Sequence, residues 1–317
     1  MSRLQSLPGQ IEPDATPFHA GERRAQALAG VEAAGGGRGI RTFMPDQHRL
    51  FFAQLPFAVV ATVDAAGAPV ATLLAGGEGF IASPNPNCLA IAARSDDPSG
   101  AEFVKRRPFA LLGIELHTRR RNRANGAIAW SGDEGLIVGV EQSFGNCPQY
   151  IHERRLELVP PGAAGFERFT GLPAEAAAQV SAADTFFVAT ASGPGVPGGG
   201  VDISHRGGPP GFVRVEGEAL LIPEYRGNRY FNTLGNLLLE PRAALLFVDF
   251  EAGRLLHLQG SAEVFWDRTD LPNAERMWRF EVEHGWRGPS PIRQAAVQPP
   301  SMERAAPVVE APRSETR

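Results

Sequence analysis

The sequence is poor in cysteine and has no long apolar run. Its two cysteines among 317 residues, Cys88 and Cys147, cannot build a disulfide framework. The longest apolar run is about seven residues, far below the ~20 that a transmembrane helix needs. The first ten residues, MSRLQSLPGQ, lack the apolar segment of a secretory signal. We therefore expect a cytoplasmic protein with reduced thiols and no membrane partner.

Excess charge of either sign is also missing. The formal net charge is −4, the pI is near 6.0, and charged residues make up 21% of the chain. A nucleic-acid partner is not expected, because such proteins carry a strongly basic surface. The basic run at 119–123 is local, and we interpret it as a solvated hairpin, with contact to an acidic ligand as the alternative.

Two kinds of catalytic motif are missing as well. The seven histidines show none of the spacings typical of a metal site, such as H-x-H or H-E-x-x-H. No G-x-S-x-G stretch is present, so serine-hydrolase chemistry is not supported.

What the sequence does contain is an internal repeat. Two segments pass through the same series of short helix, strand, glycine turn and strand, beginning near residues 45 and 174. The β-branched and aromatic runs are short and end at Gly, Pro, Asn or Asp, which predicts antiparallel strands in a barrel or sandwich. The period of about 125 residues is too long for a solenoid, so we infer two copies of one domain. The matched positions are Phe57 with Phe186, Gly76 with Gly207, and Pro108 with Pro241.

The repeat divides the chain into four segments. We expect the first barrel at 41–160 and the second at 174–286, joined by a linker that contains Pro160-Pro161-Gly162. Residues 1–40 are rich in Gly and Ala and predict a flexible arm with one helix in it. Residues 287–317 are rich in proline and predict a disordered tail.

Two local elements follow from spacing alone. Apolar residues at helical intervals predict a helix over 228–239, which Pro241 ends. In the first copy, Asn125-Gly126 is interpreted as the turn of a long hairpin.

A polar cluster ends one strand of the second copy. Ser204, His205 and Arg206 stand directly before Gly207-Gly208, a turn that lets a ligand approach the backbone closely. Such residues suit a cofactor that carries a phosphate group. Taken singly, His205 is also explained as an ordinary strand-end histidine.

A second polar cluster opens the predicted helix. Free backbone N–H groups and an arginine attract an anion there, which points to Asn228 and Arg229. Asn232 lies one turn further along the same face. The structural alternatives are an N-cap for Asn228 and a solvated side chain for Arg229.

This stretch resembles the FMN-binding split-barrel family of pyridoxamine 5′-phosphate oxidase, over roughly residues 45–285. The similarity lies in the strand end 202–206, the Gly-x-Arg at 227–229, the helix end at 240–243 and the strand pair that follows. It implies a mainly β chain with short helices, in which two tandem antiparallel Greek-key split barrels form a pseudo-dimer.

The resemblance also assigns roles within the cluster. In the family, a Gly-Ser-Arg-Lys segment before the helix holds the FMN phosphate. Asn228 stands here for the Ser and Arg229 for the Arg, while Tyr230 replaces the Lys and removes one positive charge, which Arg206 could supply. The strand that contacts the flavin ring or ribityl chain implicates Ser204 and His205.

The block QSFGNCPQYI at 142–151 resembles a segment of the two-barrel branch of the family, in which the second barrel covers the flavin. It implies Gln142 and Ser143 as further cofactor contacts, with Asn146 and Tyr150 beside them. The alternative is a structural turn around Pro148. The first copy has LLAGG where the second has SHRGG, which argues against a second FMN there.

Taken together, the resemblance implies an FMN-dependent oxidoreductase. Its small-molecule substrate and electron donor are not identified, and no catalytic acid or base follows from the sequence. Two other functions stay open: a non-catalytic flavin-binding or electron-carrier module, and a split barrel that binds haem or a deazaflavin. A homodimer stays open too.

Overall fold

Antiparallel strands dominate this protein. The structure is a computed structural model, and it describes residues 16–31, 37–160, 165–267 and 270–296. The α-helices within those ranges are short: α1 (Ala20–Leu28), α2 (Asp46–Ala53), α3 (Ala174–Ala182) and α4 (Asn232–Leu237). The helices α2 and α3 confirm those expected ahead of each barrel.

The first half forms a seven-stranded sheet. Its strands are β1 (Phe57–Val63), β2 (Pro69–Ala75), β3 (Ile81–Asn85), β4 (Cys88–Ile91), β5 (Pro108–Glu115), β6 (Arg120–Gly132) and β7 (Gly135–Gly145). They pair in the order β2-β1-β5-β6-β7-β4-β3. Between the halves lie β8 (Leu156–Leu158) and β9 (Glu167–Thr170).

The second half repeats this arrangement. Its strands are β10 (Thr185–Ala191), β11 (Val201–Gly207), β12 (Arg214–Glu216), β13 (Ala219–Glu224), β14 (Arg242–Asp249), β15 (Arg254–Phe265) and β16 (Arg276–Pro289). They pair in the order β11-β10-β14-β15-β16-β13-β12, which is the first order with nine added to each number. The tandem split barrels expected from the sequence are therefore confirmed.

The registers fix which residues correspond between the copies. Phe57 pairs with Ala75 at the end of the first β1–β2 ladder, and Thr185 pairs with Gly207 at the same point of the second. Phe57 thus corresponds to Thr185, whereas the sequence matched it with Phe186. Gly207 likewise corresponds to Ala75, whereas the sequence matched it with Gly76. Because side chains alternate along a strand, a slip of one residue exchanges the two faces.

Three apolar clusters follow from this alternation. On β1, Ala58 and Val60 face the interior of the first barrel. Val59 lies on the opposite face and packs in a cluster with Phe187 and Leu246 of the second barrel. A separate cluster fills the interior of the second barrel. Each sheet therefore buries both faces, one inside its own barrel and one against the other barrel, which makes the pseudo-dimer.

Two local expectations were wrong. Helix α4 is shorter than the interval 228–239, because the backbone takes left-handed angles at Arg229 (φ 62°) and Phe231 (φ 61°) just before it. Asn125-Gly126 is not a turn but lies inside β6, at a register shift opposite β7. The chain turns instead between Glu115 and Arg120, with a left-handed residue at Arg119.

The segments outside the barrels also differ from expectation where they are described. Helix α1 packs against α4 so closely that a Cβ at Gly235 would lie 2.6 Å from the Glu22 backbone, so this part of residues 1–40 is not a loose arm. Strand β16 runs to Pro289, and β17 (Ile292–Gln294) pairs with β8, so the chain is ordered past residue 287. Residues 1–15 and 297–317 lie outside the described residues.

Candidate functional site

A cleft opens between the two barrels at the end of β11. The second barrel contributes that strand end, the loop before α4 and the first residues of α4, and the first barrel contributes β6 and the segment after β7. Counted with its open mouth and the solvent there, the cleft encloses about 850 Å³.

Most of the residues chosen from the sequence reach this cleft. Six of them line it: Ser204, His205, Arg206, Asn228, Arg229 and Asn232. The structure therefore brings together the strand-end cluster and the loop cluster, which are separated by some twenty residues of chain.

Asn228 and Arg229 lie in a loop rather than in a helix. The Asn228 Oδ1 accepts a hydrogen bond from the Tyr230 backbone N–H at 3.1 Å, which closes a local turn. Since α4 begins only at Asn232, the attraction for an anion expected from a helix start does not apply at Asn228. Arg229 is half-buried, and its guanidinium has no hydrogen-bond or ion-pair partner among the described residues.

At the floor of the cleft, Arg121 of the first barrel meets His205 of the second. The Arg121 Nη1 donates to the His205 Nδ1 at 3.0 Å, and the Arg121 Nε donates to the Cys147 carbonyl at 2.8 Å. Because a guanidinium only donates, Nδ1 accepts and the ring proton sits on Nε2. That Nε2 is buried and has no partner. Burial, and then the charge of Arg121, holds the pKa of His205 well below its usual range, so the ring is neutral.

Arg123, two residues after Arg121 on β6, also contacts the second barrel. Its Nη2 donates to the Ser204 Oγ at 2.5 Å. Its Nη1 lies 3.5 Å from the Asp202 Oδ1 and 3.4 Å from the Asn232 Oδ1. The side chain is 6% exposed, and burial lowers its pKa to about 10. Arg123 is therefore a buried cation at neutral pH with Asp202 as its counter-ion.

A network of buried hydrogen bonds extends from Asp202 to α1. Asp202 accepts from Asn125 Nδ2 at 2.7 Å and from Asn236 Nδ2 at 3.0 Å. Asn232 Nδ2 in turn donates to the carboxyl group of Glu22. Burial, and then the charge of Asp202, raises the pKa of Glu22 to about 8. Asn232 is thus engaged on both sides by protein groups and serves as a structural link.

The charge balance of the cleft is positive. Five arginines line it and two glutamates oppose them. Arg206 donates to the Glu224 Oε2 at 3.0 Å, so the cation expected to replace the missing lysine is already paired. Its Nε remains buried without a partner. The five arginines are Arg121, Arg123, Arg206, Arg229 and Arg276.

Two of the sequence candidates lie elsewhere. Ser143 is fully buried, where its Oγ donates to the Arg123 carbonyl at 2.9 Å and contacts the His48 Nδ1 at 2.8 Å. Gln142 donates from Nε2 to the Pro17 carbonyl at 3.3 Å and lines a different cavity. Their strand β7 is covered by the segment before α2, so neither residue reaches the cleft. Asn146 and Tyr150, further along the same block, do line it.

The residues that sequence reasoning missed are Arg121 and Arg123. They belong to the run interpreted as a solvated hairpin, and both project toward the second barrel. A signal was present: Arg121, Arg123 and Asn125 alternate along a strand whose hairpin partner, ALLGIEL, is apolar. Polar residues with a period of two share one face of a strand, so the spacing indicates that these three side chains lie together.

The second half of the chain is similar to a known protein family. Residues 172–301 match the family model described as pyridoxamine 5′-phosphate oxidase. This range of the second half is similar to that family. The matched range contains β11, the loop before α4 and α4 itself, so it includes the second-barrel side of the cleft. No protein with a curated description matches the chain significantly.

Three of the similar solved structures match about two fifths of this chain or less. The HupZ protein of Group A Streptococcus is 16% identical, with a TM-score of 0.28, and the match covers 34% of this chain and 87% of that one. A FAD-binding protein of Mesorhizobium loti is 11% identical, with a TM-score of 0.26 and coverage of 41% and 99%. HutZ, the haem storage protein of Vibrio cholerae, is 14% identical, with a TM-score of 0.25 and coverage of 38% and 97%.

None of the helices in the described ranges has the length and apolar character needed to cross a membrane. No group of three or more His, Cys, Asp or Glu side chains in the same ranges is arranged to hold a metal ion.

Proposed function

We propose that the chain is a flavoprotein that binds FMN in the cleft between its barrels and uses it in an oxidation–reduction reaction. The observation that carries this proposal is that five arginines reach one cleft, while only three carboxylates, those of Asp202, Glu224 and Glu275, pair with them. Such an excess of fixed positive charge favours a phosphate-bearing ligand. The similarity of residues 172–301 to the pyridoxamine 5′-phosphate oxidase family supports a flavin as that ligand.

The polar atoms of the cleft fit such a group. The His205 Nε2, the Arg206 Nε, the Arg123 Nε and the Asn146 Oδ1 are all buried without a hydrogen-bond partner. Buried polar groups are seldom left unpaired, so a ligand that offers donors and acceptors would satisfy them. Arg229, with its unpaired guanidinium, would hold the phosphate.

Residues deeper in the cleft would act on the other end of the ligand. The flavin, when bound, supplies the redox chemistry, and the protein supplies position and electrostatics. Asp202 balances the charge of Arg123, but Arg121 places a positive charge at the floor of the cleft with no carboxylate beside it, and this charge would favour added negative charge on a ligand there. His205, held neutral with its proton on Nε2, would act as a hydrogen-bond donor.

Haem is the second candidate, because His205 presents an unpartnered imidazole nitrogen, a common axial ligand of haem iron. FMN ranks above it since His205 is only 4% exposed and its Nε2 bears the ring proton. A carrier role without catalysis is compatible with the same cleft.

The identity of the bound group is tested on the purified protein. Acid release of the chromophore followed by mass spectrometry identifies FMN, FAD or haem directly, and the absorption spectrum separates flavin from haem. A haem spectrum, or a chain that takes up no FMN on titration, would refute the proposal. Reduction by NADH or NADPH and reoxidation by an added acceptor distinguishes an enzyme from a passive carrier.

The phosphate assignment has its own test. Arg229→Ala should weaken FMN binding by roughly 30-fold, the equivalent of about 2 kcal/mol for a charge-assisted hydrogen bond. The same variant should leave the affinity for riboflavin, which lacks the phosphate, unchanged. Arg214→Ala, an exposed arginine on β12, is the matched control and should change neither affinity. Equal losses for FMN and riboflavin would place Arg229 away from the phosphate.

A further inference from the structure

The internal symmetry of the chain places a second cleft opposite the first. In the first ladder Val59 pairs with Leu73, and in the second Phe187 pairs with His205. Since the ladders have the same register, Leu73 stands where the candidate cofactor cleft has His205. Ala75 stands likewise for Gly207 at the strand end.

The strand that faces this position is changed in the same way. Ile114 pairs with Arg121 on β6, and Val248 pairs with Leu255 on β15. Leu255 therefore replaces Arg121. The hydrogen-bonded Arg121–His205 pair of one cleft becomes the apolar pair Leu255 and Leu73 of the other.

A cavity is present at this second position. It is lined by Leu73, Ala75 and Leu255, together with Leu158, Phe166 and Pro289. Counted with its open mouth it holds about 1,130 Å³, more than the about 850 Å³ of the first cleft by the same measure. Leu73 and Leu255 are 2% and 1% exposed and form its floor.

The polar groups at its rim are already satisfied. Asp97 accepts hydrogen bonds from the Ser95 Oγ at 2.6 Å and from the Ser99 backbone N–H at 2.8 Å. Arg94 donates to the carbonyls of Gly132 and Gly100 at 3.1 and 3.3 Å. Five arginines line the first cleft, whereas Arg94 is the one arginine among the residues that line the second. Asp96 and Asp97 oppose its charge. A phosphate group therefore finds no net positive charge here.

We propose that this second cleft binds an uncharged, predominantly apolar small molecule and that it holds no second phosphate-bearing cofactor. The duplication supplied two equivalent clefts, and substitutions at corresponding positions have given them opposite chemistry. The driving force for such a ligand is the removal of apolar side-chain surface from water. The inference does not depend on which group the first cleft binds.

The test uses the full chain with saturating FMN, so that the first cleft is filled, and Nile red as a neutral apolar probe. Wild type should bind the dye saturably. Ala75→Phe places a ring in the cavity from the half-buried end of β2 and should weaken dye binding at least tenfold. Ala129→Phe adds the same ring to an exposed site on β6 and should leave it unchanged. Thermal unfolding of all three proteins establishes that the variants fold.

A second variant and a stoichiometry complete the test. Leu158→Asp puts a charge on a 43% exposed residue at the rim and should also weaken dye binding. Absence of saturable dye binding by wild type, or equal binding by Ala75→Phe, would overturn the proposal. Two FMN molecules per chain, one of them displaced by Ala75→Phe, would overturn it as well. Failure to bind any FMN refutes the function proposed for the first cleft and leaves the dye result to decide this inference.

Discussion

Replacing Glu22 by glutamine should change how the stability of this protein depends on pH. Glu22 is 4% exposed on α1, and its carboxyl group accepts hydrogen bonds from the His19 backbone N–H and from Asn232. Burial, and then the nearby charge of Asp202, raises its pKa from 4.5 to about 8. At neutral pH the carboxyl group is therefore mostly protonated, and glutamine imitates that neutral form.

The sign of the effect follows from proton linkage. Between pH 4.5 and about 8 the folded state holds a proton on Glu22 that the unfolded state has lost. The stabilisation is therefore complete below pH 4.5 and disappears as the pH rises through 8, with a limiting slope of about 1.4 kcal/mol per pH unit. Over the whole window this is on the order of 5 kcal/mol.

Urea denaturation at pH 5, 6, 7 and 8 measures the difference. Glu22→Gln should lose less stability than wild type from pH 5 to pH 8, with the free energies of the two proteins diverging as the pH rises. Titrating groups far from Glu22, such as the buried Asp97, contribute equally to both proteins and cancel. Glu251→Gln, in the exposed β14–β15 turn, is the control and should run parallel to wild type. Parallel curves for Glu22→Gln would refute the buried neutral carboxyl group.

Further predictions concern the contacts between segments. Arg123→Met should cost about 3–5 kcal/mol because it leaves Asp202 buried without its counter-ion, and adding Asp202→Asn should restore most of that loss in urea denaturation. An Arg123→Met variant more stable than wild type would contradict this role of the ion pair. Gly235→Ala should lower the thermal unfolding midpoint and open α1 to proteolysis, because its Cβ would meet the Glu22 backbone at 2.6 Å. Gly77→Ala, where nothing lies within 4 Å, should change neither.

The barrel architecture was largely accessible from the sequence. Short apolar runs between turn residues indicated antiparallel strands, and their repetition indicated two copies. These signals are local and each copy repeats them, so they survive the one-residue error in the alignment. The error affected only the assignment of side chains to the two faces of a strand. The sequence alignment compared Ser204 with Leu73, whereas the register compares Ser204 with Thr72.

Of the candidate site, the sequence predicted mainly the residues that the second barrel contributes. The Ser204–Arg206 cluster and Arg229 carry their polarity in consecutive residues, and both reach the cleft. Gln142 and Ser143 were chosen from a resemblance, and the packing of β7 against the segment before α2 takes them away from it. Helix α4 was overextended because apolar spacing does not register the left-handed backbone at Arg229 and Phe231.

The sequence alone determined the strands, the duplication and the loss of polar residues from one copy, because each depends on the order of residue types along the chain. Only the tertiary structure decided that Arg121 and Arg123 are buried in the cleft of the other barrel. Their position depends on how two sheets pack face to face across more than eighty residues of chain. The same packing unites Glu22, Asn232 and Asp202 in one buried network, so the character of the site comes from contacts between segments distant in sequence.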